Sequence, residues 1–230
     1  MSGPSLSVIV PVYNESTTVE QGLGALCDFL AVVDLSEFEV IVIESGSTDG
    51  TGEILDGFAT QRPKIRVIHE GRRNGFGSAV QVGYRTARME WIWLVTPDLP
   101  FPLEALCTAL PLLDQYDAIL SYRINDDRSP YRRLQSSCFN TLVKVLFGLQ
   151  VKCVNSAFKL VRRSVVQSVD FLSSGWTIDT ELIWLLERTA LRFTEIPVRL
   201  TDRVGGASKI SPRTALSVLH EILALRFHRF

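Results

Sequence analysis

Two apolar runs near the N-terminus, each ending abruptly in a polar turn, constrain the fold of this chain more than any other feature. The first run covers residues 8–12 and leads into the polar residues 13–15; the second covers residues 40–43 and leads into a turn at 44–51. Uninterrupted apolar runs are typical of strands that are buried on both faces of a parallel sheet. Because ligands of open α/β sheets bind beyond the carboxyl ends of the strands, the two turns predict a single shared site.

The pattern from Ser5 to Arg123 alternates between strands and helices, which indicates right-handed crossovers and a mostly parallel sheet. Thr17 and Glu20 are placed to form a capping box at the start of the first helix. The other predicted elements of this part are strands at 40–43, 65–69, 91–95 and 118–121, and helices at about 51–60, 75–88 and 103–113.

The second half of the chain is less regular. A basic segment at 128–133 leads into an amphipathic stretch that ends at Leu149, and a strand at 158–161, a helix after Thr177 and a strand at 193–198 follow. No low-complexity tract or linker separates the halves, so we expect one mixed α/β domain over residues 1–230.

Composition excludes several classes of protein. The 230 residues carry 24 basic and 25 acidic side chains, so nothing global indicates a nucleic-acid-binding protein. The four cysteines lie far apart in sequence, which predicts buried free thiols in a reducing compartment rather than disulfides or a zinc site. The N-terminus lacks the features of a signal peptide, and no apolar run reaches the roughly 18 residues that span a bilayer. We therefore expect a cytoplasmic protein that is soluble or peripheral to a membrane.

Two further segments add polar groups to the predicted site. Arg72 and Arg73 precede Gly75 and a predicted helix start, whose free N–H groups suit an anion. Asp98 follows the strand at 91–95 and brings a carboxylate to the same sheet edge. Each turn taken singly is also explained as an ordinary loop in which Asn14, Ser16 or Thr51 caps a helix.

The order of these motifs resembles the family 2 glycosyltransferases of the GT-A fold, most closely their dolichol-phosphate mannosyltransferase-like, or polyprenyl-phosphate glycosyltransferase, branch. The resemblance covers nearly the whole chain. The matching segments are P-V-Y-N-E (11–15), E-S-G-S-T-D-G-T (44–51), R-N-G-F-G-S-A (73–79), T-P-D-L (96–99), S-Y-R (121–123), N-S-A-F-K-L (155–160), D-T-E-L (179–182), E-I-P-V (195–198) and D-R-V-G-G-A-S-K (202–209).

This resemblance implies a single GT-A domain with a Rossmann-like sheet, in which residues 5–123 bind a nucleotide sugar and residues 124–230 bind the acceptor. It also implies roles for individual residues. The nucleotide sugar would be held by Pro11, Tyr13, Glu15, Glu44, Gly75, Thr96, Pro97 and Ser208, and the phosphates would be gathered by Arg123, Arg133, Arg203 and Lys209.

The metal site implied by the resemblance is depleted in this sequence. The family motif D-x-D-x-Q is replaced by Thr96, Pro97, Asp98, Leu99 and Pro100, so Asp98 is the one remaining candidate ligand. Mg²⁺ or Mn²⁺ could still bind through Asp98, the donor diphosphate and water. We therefore expect weaker metal dependence than in the relatives.

The resemblance implies an inverting transfer of a sugar from a donor such as GDP-mannose or UDP-glucose to a polyprenyl or dolichyl phosphate. An ionised phosphate acceptor needs no catalytic base. A carbohydrate hydroxyl acceptor would need one, and Asp179 or Glu181 is then the candidate. These two acids could instead orient Lys209 or sugar hydroxyls, or simply stabilise a helix N-terminus. A nucleotide-binding pseudoenzyme is a further alternative.

A lipid acceptor requires access to a membrane, and two apolar segments could provide it. Residues 212–230 place Leu216, Leu219, Leu223 and Phe227 on one helical face, and residues 138–149 form a second apolar stretch. Both segments could equally pack on the sheet as ordinary amphipathic helices. The predicted location is the cytoplasmic face of a membrane, whereas the sequence does not predict an oligomeric state.

Overall fold

The computed structural model describes residues 3–125, 129–200 and 221–227, and a seven-stranded sheet runs through it. The apolar runs found in the sequence form its central strands. The strands are β1 (Ser5–Val12), β2 (Glu37–Glu44), β3 (Ile65–His69), β4 (Trp91–Leu94), β5 (Ala118–Ile124), β6 (Lys159–Arg162) and β7 (Phe193–Arg199), in the spatial order β3-β2-β1-β4-β6-β5-β7.

Helices connect most of these strands and cover both faces of the sheet. They are α1 (Val19–Val32), α2 (Thr51–Thr60), α3 (Phe76–Thr86), α4 (Ala105–Ala109), a 3₁₀ helix (Leu110–Leu112), α5 (Pro130–Phe147), α6 (Arg163–Gln167) and α7 (Ile178–Arg188). Residues 221–227 are also helical. Among the described residues, none of the helices has both the length and the apolar character that a membrane span requires.

Most strands of the sheet end at the same edge. β6 is antiparallel to both of its neighbours, whereas the other described strand pairs are parallel. The carboxyl ends of β1 to β5 and of β7 therefore point to one edge, and β6 begins at that edge with Lys159. The single α/β domain and the mostly parallel sheet predicted from the sequence are confirmed.

Two apolar layers enclose the sheet. Alternate residues of β1 supply them, since Ile9 packs into the layer that includes α3 and α7, whereas Val8 and Val10 pack into the layer that includes α1. All three side chains are fully buried. Burial of such a side chain contributes roughly 1.5–3 kcal/mol, which explains why apolar runs without alternation specify this sheet. The four cysteines are free thiols, but the expectation that they are buried is wrong for Cys107 and Cys138, which are exposed, whereas Cys27 and Cys153 are partly buried.

Two local predictions were wrong. The helix expected at 103–113 is shorter, because α4 ends at Ala109 and Pro111, which lacks an N–H donor, lies in the following 3₁₀ turn. The capping box of Thr17 and Glu20 does not form. Instead Thr18 occupies the N-cap position of α1, and its hydroxyl donates to the Glu15 carboxylate at 3.1 Å.

Candidate functional site

The loops that follow β1 and β2, called here the first turn (residues 13–16) and the second turn (residues 44–51), are joined by hydrogen bonds. Backbone N–H groups of the first turn donate to side chains of the second, which fixes their relative position. The pairs are Asn14 N with Ser47 Oγ (3.0 Å), Glu15 N with Thr51 Oγ1 (3.0 Å) and Ser16 N with Asp49 Oδ2 (3.1 Å), and Thr48 N donates in return to Asn14 Oδ1 (2.9 Å). The predicted convergence of the two turns is confirmed.

Asp49 accepts hydrogen bonds where the two turns meet, and the sequence did not single it out as a site residue. Partial burial alone would raise the pKa of its carboxyl, but hydrogen bonds from Thr51 and Ser16 lower it to about 2. Asp49 therefore carries a full negative charge at neutral pH and holds both turns.

Glu44, expected at the nucleoside, is a buried residue at the end of β2. One of its carboxylate oxygens accepts the Ser47 N–H, and the other lies 3.0 Å from His69 Nδ1. Burial would raise the pKa of Glu44, but the bonds from Ser47 and His69 hold it below its ordinary value. Both oxygens of Glu44 are thus engaged inside the protein, where they brace the second turn.

Glu70 connects three segments of the same edge and was not singled out in the sequence. Its carboxylate accepts hydrogen bonds from Ser45 Oγ (2.7 Å), Ser78 Oγ (2.7 Å) and Asn74 Nδ2 (3.2 Å). The signal in the sequence was its position, because Glu70 directly follows the strand β3. It fixes the loop that carries Arg72 and Arg73 to the second turn.

Glycines let this loop approach its neighbours closely. Gly46 has a φ of 67°, and a Cβ there would meet the Arg72 backbone. Gly75 has a φ of 101° and lies against the Ser174 carbonyl in the same way. The Arg73 guanidinium lies over the Tyr13 ring, 4.5 Å from its centroid, so a cation and an aromatic face border the first turn.

The loop after β4 carries the predicted metal ligand. The Leu99 N–H donates to the Thr96 carbonyl at 3.0 Å, which closes a turn around Pro97 and Asp98. Gly22 in α1 packs against the Pro97 carbonyl, so this turn is held against the helix. Both Asp98 carboxylate oxygens are shielded from solvent.

The side chains of the described residues do not form a divalent metal site by themselves. Across residues 3–125, 129–200 and 221–227, no group of three or more His, Cys, Asp or Glu side chains converges. Thr96 and Pro97 add no carboxylate to that of Asp98, and hard cations prefer several oxygen ligands. No chemical step is therefore assigned to a metal here, and the role of Asp98 as a ligand stays a prediction.

The two acids of α7 are buried and engaged. Asp179 pairs with Lys159 at 3.0 Å, an ion pair whose side chains are 12% and 6% exposed. Burial raises the pKa of Asp179, and the Lys159 ammonium opposes that rise. Glu181 accepts the backbone N–H groups of Leu172 and Ser173 at 2.9 Å each and so fixes the loop before α7. The sequence analysis quoted Lys159 only within a motif and missed it as a site residue.

The remaining predicted residues fall into three groups. Pro11 is buried within β1 opposite Ile43, and Arg123 lies near the carboxyl end of β5. Arg133 is exposed in the first part of α5. Arg203, Ser208 and Lys209 lie outside the described residues. The structure brings the first turn, the second turn and Gly75 together, but the roles of the individual residues stay predictions.

A row of apolar side chains lies exposed along α5. It consists of Tyr131, Leu134, Leu142 and Val145, which are 42 to 75% exposed and recur at helical spacing on one face. In the helical segment 221–227, Ile222 and Leu225 are buried, whereas Leu223 and Phe227 are exposed. The described part of this segment thus packs one face on the core, as one of the two readings expected, whereas a membrane contact of its outward face stays a prediction. Leu216 and Leu219 lie outside the described residues.

Comparison with known proteins identifies the family. The model of glycosyl transferase family 2 matches residues 7–170. The chain belongs to this family. The resemblance inferred from the sequence motifs is confirmed, as is the assignment to glycosyltransferase enzymes.

Two relatives and one solved structure illustrate the similarity. Glycosyltransferase AglD of Haloferax volcanii is 29% identical over 86% of this chain, which spans only 33% of that protein. Undecaprenyl-phosphate mannosyltransferase of Micrococcus luteus is 26% identical over 88% of this chain and 86% of its own length. Glucosyl-3-phosphoglycerate synthase of Mycobacterium tuberculosis, solved with Mn²⁺, UDP-glucose and phosphoglyceric acid, superposes with a TM-score of 0.73 at 19% identity, covering 98% of this chain and 80% of that one. The likeness confirms the predicted GT-A fold.

Proposed function

We propose that this chain transfers a sugar from a nucleotide sugar to a polyprenyl phosphate, with inversion at the anomeric carbon. Membership of glycosyl transferase family 2 supports the transfer, and the name of the Micrococcus luteus relative supports a lipid phosphate as the acceptor. GDP-mannose and UDP-glucose are the proposed donors. Because this chain spans only 33% of AglD, further activities of such relatives are not carried over.

The joined first and second turns carry the proposal. Three backbone N–H groups of one turn are fixed by side chains of the other at 3.0 to 3.1 Å, at the carboxyl edge where open α/β sheets bind nucleotides. Tyr13 offers an aromatic face at this edge, with the Arg73 guanidinium beside it. A rigid, preorganised loop pair of this kind suits the nucleoside end of a donor.

The proposed reaction is a direct displacement. A phosphate oxygen of the acceptor attacks the anomeric carbon, a new carbon–oxygen bond forms, and the bond to the donor diphosphate breaks. The nucleoside diphosphate leaves with the bonding electron pair. A phosphate monoester with a second pKa of about 6 is largely ionised at neutral pH, so no proton has to be removed from it.

Positioning and charge then supply the catalysis. Arg123 lies near the carboxyl end of β5 and so brings a cation to the side of the sheet where the diphosphate would lie, whereas Lys159 at the same edge is buried and paired with Asp179. We retain Arg203 and Lys209 as predicted phosphate ligands from the motif alone. Asp179 is paired with Lys159, and Glu181 accepts the backbone N–H groups of residues 172 and 173. These contacts do not support a role for either acid as a catalytic base. They therefore do not support a carbohydrate hydroxyl as the acceptor.

We further propose that the enzyme works as a peripheral protein at the cytoplasmic face of a membrane. The apolar row on α5 and the exposed Leu223 and Phe227 support this proposal, since side chains of this kind enter the interfacial region of a bilayer. Arg133 is exposed on the same helix and would meet anionic lipid headgroups.

A transferase assay tests the proposed function. Purified protein is incubated with undecaprenyl or dolichyl phosphate in detergent and with a panel of labelled nucleotide sugars, and lipid-linked label is counted. We expect one donor to be used clearly above the others, and Asp98→Asn to reduce its turnover by at least about tenfold, or 1.4 kcal/mol. Asp114→Asn, which changes an exposed acid in the turn after the 3₁₀ helix, is the matched control. Nucleotide binding without transfer from any donor would instead support the pseudoenzyme alternative.

A further inference from the structure

A continuous chain of hydrogen bonds runs from the surface helix α2 to the first turn. Asp56 Oδ1 on α2 lies 3.0 Å from His69 Nε2, and His69 Nδ1 lies 3.0 Å from Glu44 Oε2. Glu44 accepts the Ser47 N–H, and Ser47 Oγ accepts the Asn14 N–H at 3.0 Å. The imidazole of His69 thus lies between two carboxylates, and three hydrogen bonds connect it to the first turn.

Burial of the side chains increases along this series of hydrogen bonds, from Asp56 to Glu44. The side chains of Asp56, His69 and Glu44 are 65%, 40% and 6% exposed. A neutral imidazole has one N–H donor, whereas an imidazolium has two, so only the protonated ring donates to both carboxylates. The hydrogen bonds to Asp56 and then to Glu44 raise the pKa of His69 above its ordinary value.

We propose that His69 is a positioning residue for nucleotide binding, whose protonated ring holds Glu44 and, through it, the two turns in the arrangement that binds the donor. Nucleotide affinity then falls as the pH rises and the ring loses its proton. The inference rests on the proposed function, because it concerns the same donor site.

The direction of the effect follows from the burial of the two acids. When the ring is neutral, its single N–H stays with the buried Glu44, because an unpaired buried carboxylate is the more unfavourable state. Asp56 is released to solvent, and Glu44 loses its cationic partner and is held less firmly against the second turn. Since nucleotide favours the protonated ring, bound nucleotide must in turn raise the pKa of His69.

Other charges near the ring do not change this reasoning. Among the described residues, the charged groups that face His69 are Glu44 from β2 and Asp56 from α2. Glu70, next in sequence, directs its carboxylate to Ser45, Asn74 and Ser78 instead. The ring therefore responds to one pair of acids.

Calorimetric titration with UDP-glucose and with GDP-mannose between pH 5.5 and 8.5 tests the inference, because both phosphates of these nucleotide sugars are esterified and do not titrate in this range. For the wild type we expect the affinity of the preferred nucleotide to fall by about five- to tenfold across a midpoint above 6.5. The amide of His69→Gln is neutral, carries both of its N–H donors on one nitrogen and does not titrate, so the affinity of this variant should be low and independent of pH. Asp56→Asn should move the midpoint to lower pH. Glu53→Gln, an exposed acid of α2 outside the hydrogen-bond chain, is the matched control and should behave as the wild type.

Two outcomes distinguish this inference from the proposed function. If nucleotide binds but His69→Gln keeps the wild-type pH profile, or the wild type shows no pH dependence, the inference is wrong and the donor site stands. If neither nucleotide binds at any pH, both are wrong. Should His69→Gln fail to fold, NMR titration of the imidazole signals of the wild type decides: a His69 pKa that rises with bound nucleotide supports the inference, and an unchanged pKa overturns it.

Discussion

Replacing Lys159 by Met should lower the free energy of unfolding by an amount that depends on pH. The change leaves the Asp179 carboxyl buried without its cation, and a buried acid then either stays charged or takes up a proton. Protonating a group with an ordinary pKa of 3.8 at pH 7 costs about 4 kcal/mol, because each pH unit above that value adds about 1.4 kcal/mol. This figure is the upper bound of the loss at neutral pH.

The sign of the pH effect follows from the same argument. Burial raises the pKa of Asp179 in the folded state, so the folded protein binds more protons than the unfolded chain above pH 3.8. The destabilisation is therefore largest at high pH and is relieved as the pH falls. The upper bound of the loss in Lys159→Met therefore falls from about 4 kcal/mol at pH 7 to about 2 kcal/mol at pH 5, and we expect the measured loss to shrink in the same direction.

Urea denaturation followed by circular dichroism at the two pH values measures this loss. The double variant Lys159→Met/Asp179→Leu removes both charges and should recover most of the stability. Glu90→Gln breaks the pair with Arg162, whose side chains are 53% and 32% exposed, and should change stability by no more than about 1 kcal/mol. A loss in Lys159→Met below 1 kcal/mol, or one that does not vary with pH, would refute the reasoning.

Four further predictions concern the site and its surroundings. Glu181→Gln should lose about 2 kcal/mol of stability and speed hydrogen exchange at residues 172–177, because the carboxylate holds two backbone N–H groups there; unchanged exchange contradicts this role. Ser47→Ala should weaken nucleotide binding severalfold in calorimetry, since Ser47 Oγ accepts the Asn14 N–H, whereas Ser36→Ala, remote from the turns, should not. Val145→Glu should reduce flotation with anionic vesicles, whereas Gln150→Glu, beyond the end of α5, should not; equal flotation of the two argues against α5 as the contact. EDTA should lower transfer only partly, because Asp98 is the single acid in its turn; abolished transfer would show that the metal is essential.

The sequence predicted the parts of the fold that depend on local patterns. The runs at 8–12 and 40–43 lack alternation because both faces of β1 and β2 are covered, and their polar ends meet because neighbouring parallel strands end at one edge. The break at Pro111 was also visible in the sequence, but the apolar spacing around it indicated a continuous helix.

Contacts between distant segments could not be predicted in this way. Lys159 meets Asp179 only because β6 is inserted antiparallel between β4 and β5, and no local pattern encodes that insertion. His69 meets Asp56 because α2 packs beside β3, 13 residues away. Glu44 was expected to contact the nucleoside, and its burial against His69 depended on the same packing.

The identity of the atom that receives the sugar tests the central proposal most directly. The enzyme is incubated with the preferred nucleotide sugar and undecaprenyl phosphate and, in a parallel reaction, with the same donor and undecaprenol. The masses of the products are measured by mass spectrometry. We predict a hexosyl phosphate lipid from undecaprenyl phosphate and no product from undecaprenol. Glycosylated undecaprenol, or transfer to a carbohydrate hydroxyl while undecaprenyl phosphate stays unmodified, would contradict the account.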